Sequence, residues 1–331
     1  MIRTAAELEQ LATEVLVKAG TAEPSARSVA VGLVRANKDG LNSHGLARLK
    51  AYSSQVVAGK VVGDAVPVLE MLGPSAARID ARDGFAFPAF DMAIDTLVEM
   101  TAETPVAGIA VTNSHHFGVA GHHVERLAEH GVAGLVFSNS PQAIAPWGGS
   151  RPIFGTNPIA FGFPRADAPP VVVDLSMSKQ ARGKIKLAAE EGREIPEGWA
   201  LDKDGNPTTD AAAAMGGSMI PLGDAKGAAL VLAVEIMAAA MTGAHFGYEA
   251  SSFFDDEGGP PRIGQFILGF NPGPLSGGTY AERLEVLLAA VTDQPGTRIP
   301  GVRRIGIREK SEAEGIDIPD DLVSWMEEQA G

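Results

Sequence analysis

The sequence predicts an α/β protein. Residues before Pro67 read as helices, and beyond it short β-like runs alternate with helices. No strand is followed by the G-x-G-x-x-G turn of a doubly wound dinucleotide fold, and there is no Walker loop. The chain has 331 residues, more than most single cores organise, so two or more domains are expected.

In order, Thr4-Ala5-Ala6-Glu7 is a capping-box pattern that opens a helix carrying Leu8, Leu11, Val15 and Val17, with Gly20 as its stop. A second helix begins near Pro24, with Val29, Leu33 and Val34 on its inner face. Asp39-Gly40 reads as a turn, and a third helix runs from near Ser43 to about Gly59. Capped by Asn42 or Ser43, it places His44 in the first turn and Arg48 four residues on, on the same face. That face could hold a small carboxylate on Arg48 while His44 handles a proton at the adjacent carbon. A capped surface helix with an exposed His and Arg fits the same residues.

The runs 66–71, 76–79 and 84–90 then read as β-like, followed by a helix over 92–100. A buried strand over 106–111 leads into Asn113-Ser114-His115-His116-Phe117-Gly118. A helix over 119–129 and a strand over 132–137 follow, the latter ending in Ser138-Asn139-Ser140. Loops at Ala145–Gly149 and Phe154–Pro158 contain glycines that permit close backbone approach. A strand over 171–176 ends in Asp174 and Ser176, a place where α/β proteins put ligand groups. An Asp that caps the following helix is the alternative. That helix starts at about Ser178 and carries Arg182, Lys184 and Lys186.

Residues 192–210 are polar and turn-rich. Asp202-Lys203-Asp204-Gly205-Asn206 resembles the start of a calcium loop, but Gly falls fourth instead of sixth and position twelve is Ala213, so a turn explains it. His115-His116 and His122-His123 lack an H-E-x-x-H pattern, and no metal is expected. On a helix only one member of each pair would face inward. His116, at a strand-to-helix loop, reads better as a hydrogen-bond partner for cofactor or substrate. The apolar stretch 227–241 carries Glu235 and reads as a buried helix, with Lys226 at its start opposing the helix dipole and so answering to something such as a phosphate. A strand over 263–270 and a helix over 280–290 precede Arg298, Arg303, Arg304, Arg308 and Lys310, a basic run suited to a pyrophosphate or ribose 2′-phosphate.

Composition narrows the function classes. A net charge of -14 argues against nucleic acid as a partner, because its phosphates would be repelled. Cys is absent, which removes disulfides, thiolate catalysis and thiolate metal sites. No signal peptide or bilayer-length apolar run is read, so no membrane association is expected and the cytoplasm is the default location.

Four motifs in order carry a resemblance. Asp39-Gly40-x-x-Ser43-His44-Gly45, Ser114-His115-His116-Phe117-Gly118, Gly155-Thr156-Asn157-Pro158 and Pro300-Gly301-x-Arg303-Arg304 resemble the type-2 malate/L-lactate dehydrogenase family over nearly the whole chain. Within it, 84–89, 139–149 and 246–254 are similar to the reductases of Δ1-piperideine-2-carboxylate and Δ1-pyrroline-2-carboxylate. The resemblance implies a non-Rossmann NAD(P)-binding sheet domain over 66–274. It also implies a helical substrate and dimerisation domain built from both chain ends, 1–65 with about 275–331, and a homodimer. It implies His44 as proton donor, Ser43 as its orienting partner and Arg48 as carboxylate anchor, with Thr156, Arg182 and Gly183 touching substrate. His116, Phe117, Gly118, Val119, Ala120, Ser140, Asp174, Leu175, Ser176, Lys226, Gly301, Arg303 and Arg304 would hold NADPH, with NADH as the alternative.

The expected activity is NADPH-dependent reduction of a cyclic imino acid to L-proline or L-pipecolate. The alternative is a malate, lactate or ureidoglycolate type of 2-hydroxy acid dehydrogenase. One departure bears on the choice. The imino-acid branch is associated with an acidic relay residue two positions after Arg182, where this chain has Lys184.

Overall fold

The computed structural model describes residues 1–331. The chain opens with β1 (Ile2–Arg3), α1 (Ala5–Lys18) and α2 (Glu23–Lys38). Two 3-10 turns, Asn42–His44 and Leu46–Arg48, lead into α3 (Leu49–Val57). Next come β2 (Val68–Gly73), β3 (Ala76–Asp80), α4 (Ala86–Glu103), β4 (Val106–Ser114), α5 (Ala120–Glu129) and β5 (Ala133–Ser138). The middle holds β6 (Ile159–Phe163), β7 (Val171–Leu175), α6 (Arg182–Glu190), β8 (Ala200–Leu201), β9 (Pro207–Thr208), α7 (Ala211–Met215) and β10 (Ser218–Met219). α8 (Asp224–Glu235) runs on through a π-helical turn, Ile236–Ala240. β11 (Ile263–Phe270), α9 (Pro272–Leu275), α10 (Tyr280–Thr292), α11 (Val302–Glu314), β12 (Ile316–Asp317) and α12 (Asp320–Ala330) complete the chain.

The capping box at α1 forms as expected: Thr4 Oγ1 accepts the Glu7 N–H, and the Glu7 carboxylate accepts the Thr4 N–H at 2.8 Å. The run 84–90 is not a strand. Its second half belongs to α4, where Phe87, Phe90, Ile94 and Leu97 recur at helical spacing and are buried, and Pro88 is tolerated in the first turn. The helix expected from Ser178 begins only at Arg182.

Seven strands form the main sheet in the order β2-β3-β4-β11-β5-β6-β7. Only β3 and β4, joined by α4, run parallel; the other pairs are antiparallel. α4 and α5 close one core over the sheet with Phe90, Leu97, Ile109, Val124, Val136 and Ile267. A second core joins the two chain ends: Leu8, Leu16, Leu33, Leu49 and Tyr52 pack with Ile318, Leu322 and Met326. β1 and β12 pair antiparallel beside it.

A third core went unread in the sequence. The polar stretch 192–210 supplies β8 and β9 to a small sheet, over a cluster that includes Ile144, Met177, Ile185, Met219 and Val231. Its Asp202 carboxylate accepts the N–H groups of Asp204 and Asn206, both at 2.9 Å, as a turn requires. α8 is buried along one side only. Val231 and Val234 face inward, whereas Leu230, Leu232 and Ile236 lie exposed. No helix is long and apolar enough to cross a membrane.

Candidate active site

The link between α2 and α3 is set by Asn37. Its amide donates to Asn42 Oδ1 at 2.9 Å, and its carbonyl accepts the Leu46 N–H at 2.7 Å. A Cβ on Gly45 would stand 2.1 Å from Asn37 Oδ1, so only glycine lets the chain pass. This corrects the expected helix. Neither Asn42 nor Ser43 caps one, and His44 and Arg48 lie on successive 3-10 turns. The intended neighbourhood survives by another route, since Arg48 Nε donates to the Ser43 carbonyl at 2.8 Å.

Ser43 Oγ lies 3.1 Å from His44 Nδ1. The His44 ring stacks on His116 at 5.6 Å between centroids. Burial, then the positive charge of Arg48, pull the His44 pKa down to about 4. Tyr52 OH is 2.6 Å from His116 Nδ1. Burial pushes the phenol up and the imidazole well down, so this is a bond between two neutral groups. Arg48 lies with Cζ 4.5 Å from the centre of the Phe254 ring, and its buried Nη1 has no partner. A desolvated guanidinium with an unused donor favours an arriving carboxylate.

A second wall comes from three loops gathered on Glu235. This buried carboxylate accepts Asn157 Nδ2 and Gly247 N–H, each at 2.7 Å, and Asn139 Nδ2 at 3.2 Å. Next to those asparagines, Ser140 Oγ accepts the Thr156 N–H at 3.0 Å and lies 3.3 Å from Thr156 Oγ1. Arg182 Nη1 donates to the Gln142 carbonyl at 3.2 Å, and Gly183 beside it lies open. The segment that leaves Gly247 brings Phe253 against the His115 and His116 rings. Phe253 and Phe254 thus join this wall to His116 and Arg48.

On the α5 side, Phe117 is buried and its carbonyl accepts His123 Nε2 at 2.8 Å. Gly118 has φ +77°, and Val119 and Ala120 begin the helix. Asp174 is a helix cap, but of α5 instead of α6: its Oδ2 accepts the Gly121 N–H at 2.7 Å. Leu175 is exposed and Ser176 Oγ lies 2.8 Å from Ser178 Oγ. Gly301, at φ +89°, starts α11 so close to β7 that a Cβ would stand 3.3 Å from the Val172 carbonyl. Arg303 and Lys226 are exposed. Arg304 is not free: Asp39 lies 3.2 Å from its Nε and Glu125 accepts from Nη2 at 3.0 Å, in a network completed by Arg35, Arg308 and His122.

Both members of each histidine pair are buried, against the expectation of one. His115-His116 lie on a loop, and α5 packs on the sheet and α4, with His122 and His123 lining a crevice between α5 and α2. His122 Nε2 meets Asp39 Oδ2 at 2.9 Å, while His115 sits among Tyr52, Phe85 and Phe253 with neither ring nitrogen bonded. Sequence reading missed Tyr52, Phe253, Phe254 and Glu235 as site residues. Glu235 carried a signal as a carboxylate inside an apolar run, and Phe253 and Phe254 lie in the segment 246–254 singled out by resemblance.

Comparison with known proteins decides the lineage. The family model for malate/L-lactate dehydrogenase matches residues 4–327. The chain belongs to this family. It is therefore an oxidoreductase of the dehydrogenase and reductase class. It is 48% identical over 320 residues to the (2R)-3-sulfolactate dehydrogenase (NADP(+)) of Chromohalobacter salexigens, covering 97% of this chain and 95% of that one. It is 38% identical over 330 residues to the Δ1-pyrroline-2-carboxylate/Δ1-piperideine-2-carboxylate reductase of Pseudomonas putida, covering 98% and 96%. The crystal structure of Δ1-piperideine-2-carboxylate reductase from Pseudomonas syringae matches with a TM-score of 0.94 at 37% identity, covering 99% of each chain.

Proposed function

We propose that this dehydrogenase-family enzyme interconverts a small 2-oxo acid and its 2-hydroxy acid with NADP, a 3-sulfolactate type of substrate being the first choice. The observation that carries the reading is the Ser43–His44 pair beside the buried, unpaired Nη1 of Arg48. Arg48 would hold the carboxylate, and His44 would protonate the oxygen on the adjacent carbon. The substrate carboxylate offsets the field of Arg48, which raises the His44 pKa when substrate is present. Ser43 orients the imidazole, and Thr156 with Ser140 offers hydroxyls from the facing loop.

The fit of NADPH rests on the chemistry of the groups present: the imidazole of His116, the hydroxyls of Ser140 and Ser176, the exposed cations Arg303 and Lys226, and the close approach of Gly301 to β7. Phe117 through Ala120 and Asp174-Leu175 would line the same shelf. NADPH supplies the hydride when bound. Arg304, held between two carboxylates, would shape this shelf, leaving Arg303 for the phosphate.

Two facts favour the hydroxy-acid reading over the imino-acid one expected from sequence. The sulfolactate relative shares more identity than the reductases named above. Lys184 also stands where the resemblance to the imino-acid branch implies an acidic relay residue. The second reading, reduction of Δ1-pyrroline-2-carboxylate or Δ1-piperideine-2-carboxylate, is favoured by segment 246–254, similar to that branch and packed through Phe253 and Phe254 on His116 and Arg48. NADPH oxidation should be followed with sulfopyruvate, oxaloacetate, pyruvate and Δ1-pyrroline-2-carboxylate in parallel. The first reading expects sulfopyruvate to lead in kcat/KM. A tenfold lead for pyrroline-2-carboxylate would replace it with the second.

A second copy of the chain is the proposed partner, covering the exposed apolar side of α8 and α10, where Val286 and Leu287 stand in solvent. Sedimentation should give a dimer at micromolar concentration. A monomer under those conditions would remove it.

A further inference from the structure

α6 begins Arg182-Gly-Lys-Ile-Lys186 with no acidic residue in its first turn. Residues four apart share a helix face, whereas Lys184 points roughly 200° away from Arg182. The shared face looks at the active-site loops. Arg182 reaches the Gln142 carbonyl, and Lys186 Nζ stands 5.8 Å from the centre of the Phe254 ring. The same ring lies under Arg48 Cζ at 4.5 Å. One aromatic ring thus carries two cations, one of them the carboxylate anchor of the proposed reaction. The nearest carboxylate to Lys186, on Glu190, stays at 3.7 Å with both side chains half exposed.

Such a loose surface pair is worth little, and two like charges sharing one ring repel each other. Basic residues at a helix N-terminus also oppose the helix dipole. Both unfavourable effects are relieved when an anion with two charged ends reaches from one cation to the other past the edge of the Phe254 ring.

We propose that Lys186 forms a second anion subsite, which takes the charged group on C3 of a dianionic 2-oxo or 2-hydroxy acid, a sulfonate or a second carboxylate. Arg48 holds the C1 carboxylate of the same molecule, and Phe254 separates the two cations. This assignment rests on the 2-oxo acid reading above and makes Lys186 a specificity-determining residue. It acts on binding, because it touches neither His44 nor the carbon that reacts.

The test compares Lys186→Ala and Lys186→Arg with wild type. For sulfopyruvate and oxaloacetate, Lys186→Ala should lower kcat/KM tenfold or more, chiefly through KM. Pyruvate, which lacks the second charge, should change less than twofold, and Lys186→Arg should retain most of the preference. Equal loss for pyruvate and the dianions, or no loss at all, would overturn the subsite. Competitive inhibition separates this outcome from failure of the functional reading. If pyrroline-2-carboxylate proves to be the substrate, sulfoacetate should still inhibit its reduction more strongly than acetate, and Lys186→Ala should abolish the difference. Equal inhibition of the wild-type enzyme by the two would remove the subsite whatever the substrate.

Discussion

At the scale of single residues, His44 is held neutral in the free protein, and this gives a signed pH dependence. In the proposed reaction, reduction needs the proton on His44, whose folded-state pKa is about 4. Between pH 5 and 8 the protonated fraction falls about tenfold per unit, so kcat/KM for reduction should fall with a slope near -1 on a logarithmic plot. In the oxidative direction neutral His44 is the working form, and its kcat/KM should be flat across that range. A flat profile for reduction would mean that another group delivers the proton. His44→Ala should lower kcat by roughly two to four decades with NADPH affinity unchanged. Near-normal turnover would transfer the role to His116. Arg48→Lys keeps the charge but loses the planar two-point grip, so kcat/KM should drop at least about tenfold; if it does not, Arg182 is the anchor. Ser43, His44 and Arg48 were legible from sequence because hydroxyl, imidazole and guanidinium lie within six positions. Tyr52 was not. Its bond to His116 spans 64 positions, and an apolar helix face gives no sign of a phenol that needs a partner.

At the scale of elements, the loop that bears Thr156 owes its shape to a helix far along the chain. Glu235→Gln would set an amide N–H₂ against Asn157 Nδ2, two donors in a buried site, at a cost of about 1–3 kcal/mol. The expected result is a lower melting temperature together with a higher KM for substrate; an unchanged KM would detach the Glu235 loops from the site. α11 gives a second contrast. Arg303→Ala should weaken NADPH by on the order of 1.5–3 kcal/mol while sparing NADH, because only NADPH carries the extra phosphate. Arg304→Ala should instead lower stability, since it leaves Asp39 and Glu125 short of a buried partner. Equal weakening of both cofactors by Arg303→Ala would move that residue off the 2′-phosphate. Elements with strong caps or long apolar runs, such as α1 and β11, could be read from sequence. The α2–α3 link was misread because its conformation is dictated by Asn37, reaching back over nine residues. Residues 84–90 misled because a short aromatic run fits a strand and a buried helix start equally well.

At the scale of the molecule, the histidines give the fold a common weakness. Burial lowers His44 and His122 to about 4, and His115 and His123 to about 3. All four lie below the unfolded value near 6.5, so the unfolded chain binds more protons and stability falls as pH drops through 6.5 toward 4. Each group contributes about 1.4 kcal/mol per pH unit in that window. Thermal melts at pH 7.5, 6 and 5 should show a steep fall in Tm below pH 6.5, and an unchanged Tm at pH 5 would mean that these imidazoles find water or partners. Asp39 does not set this window. Burial alone would raise its carboxyl, but Arg308 and His122 outweigh that and hold it far below, so it stays charged throughout. The third core escaped sequence reading because two-residue strands such as β8 and β10 leave no periodicity to detect.

The joining of the two chain ends in one core has a consequence for how the protein is made. On the ribosome, the segment carrying His44 emerges long before Ile318, Leu322 and Met326. Until they do, Leu8, Leu16 and Leu33 lack part of their cover, and long-range closure of this kind is slow. A nascent chain stalled before α12 would thus expose apolar surface of the core that Leu46 and Leu49 share with α12. The core around the segment that bears His44 is begun early and closed late.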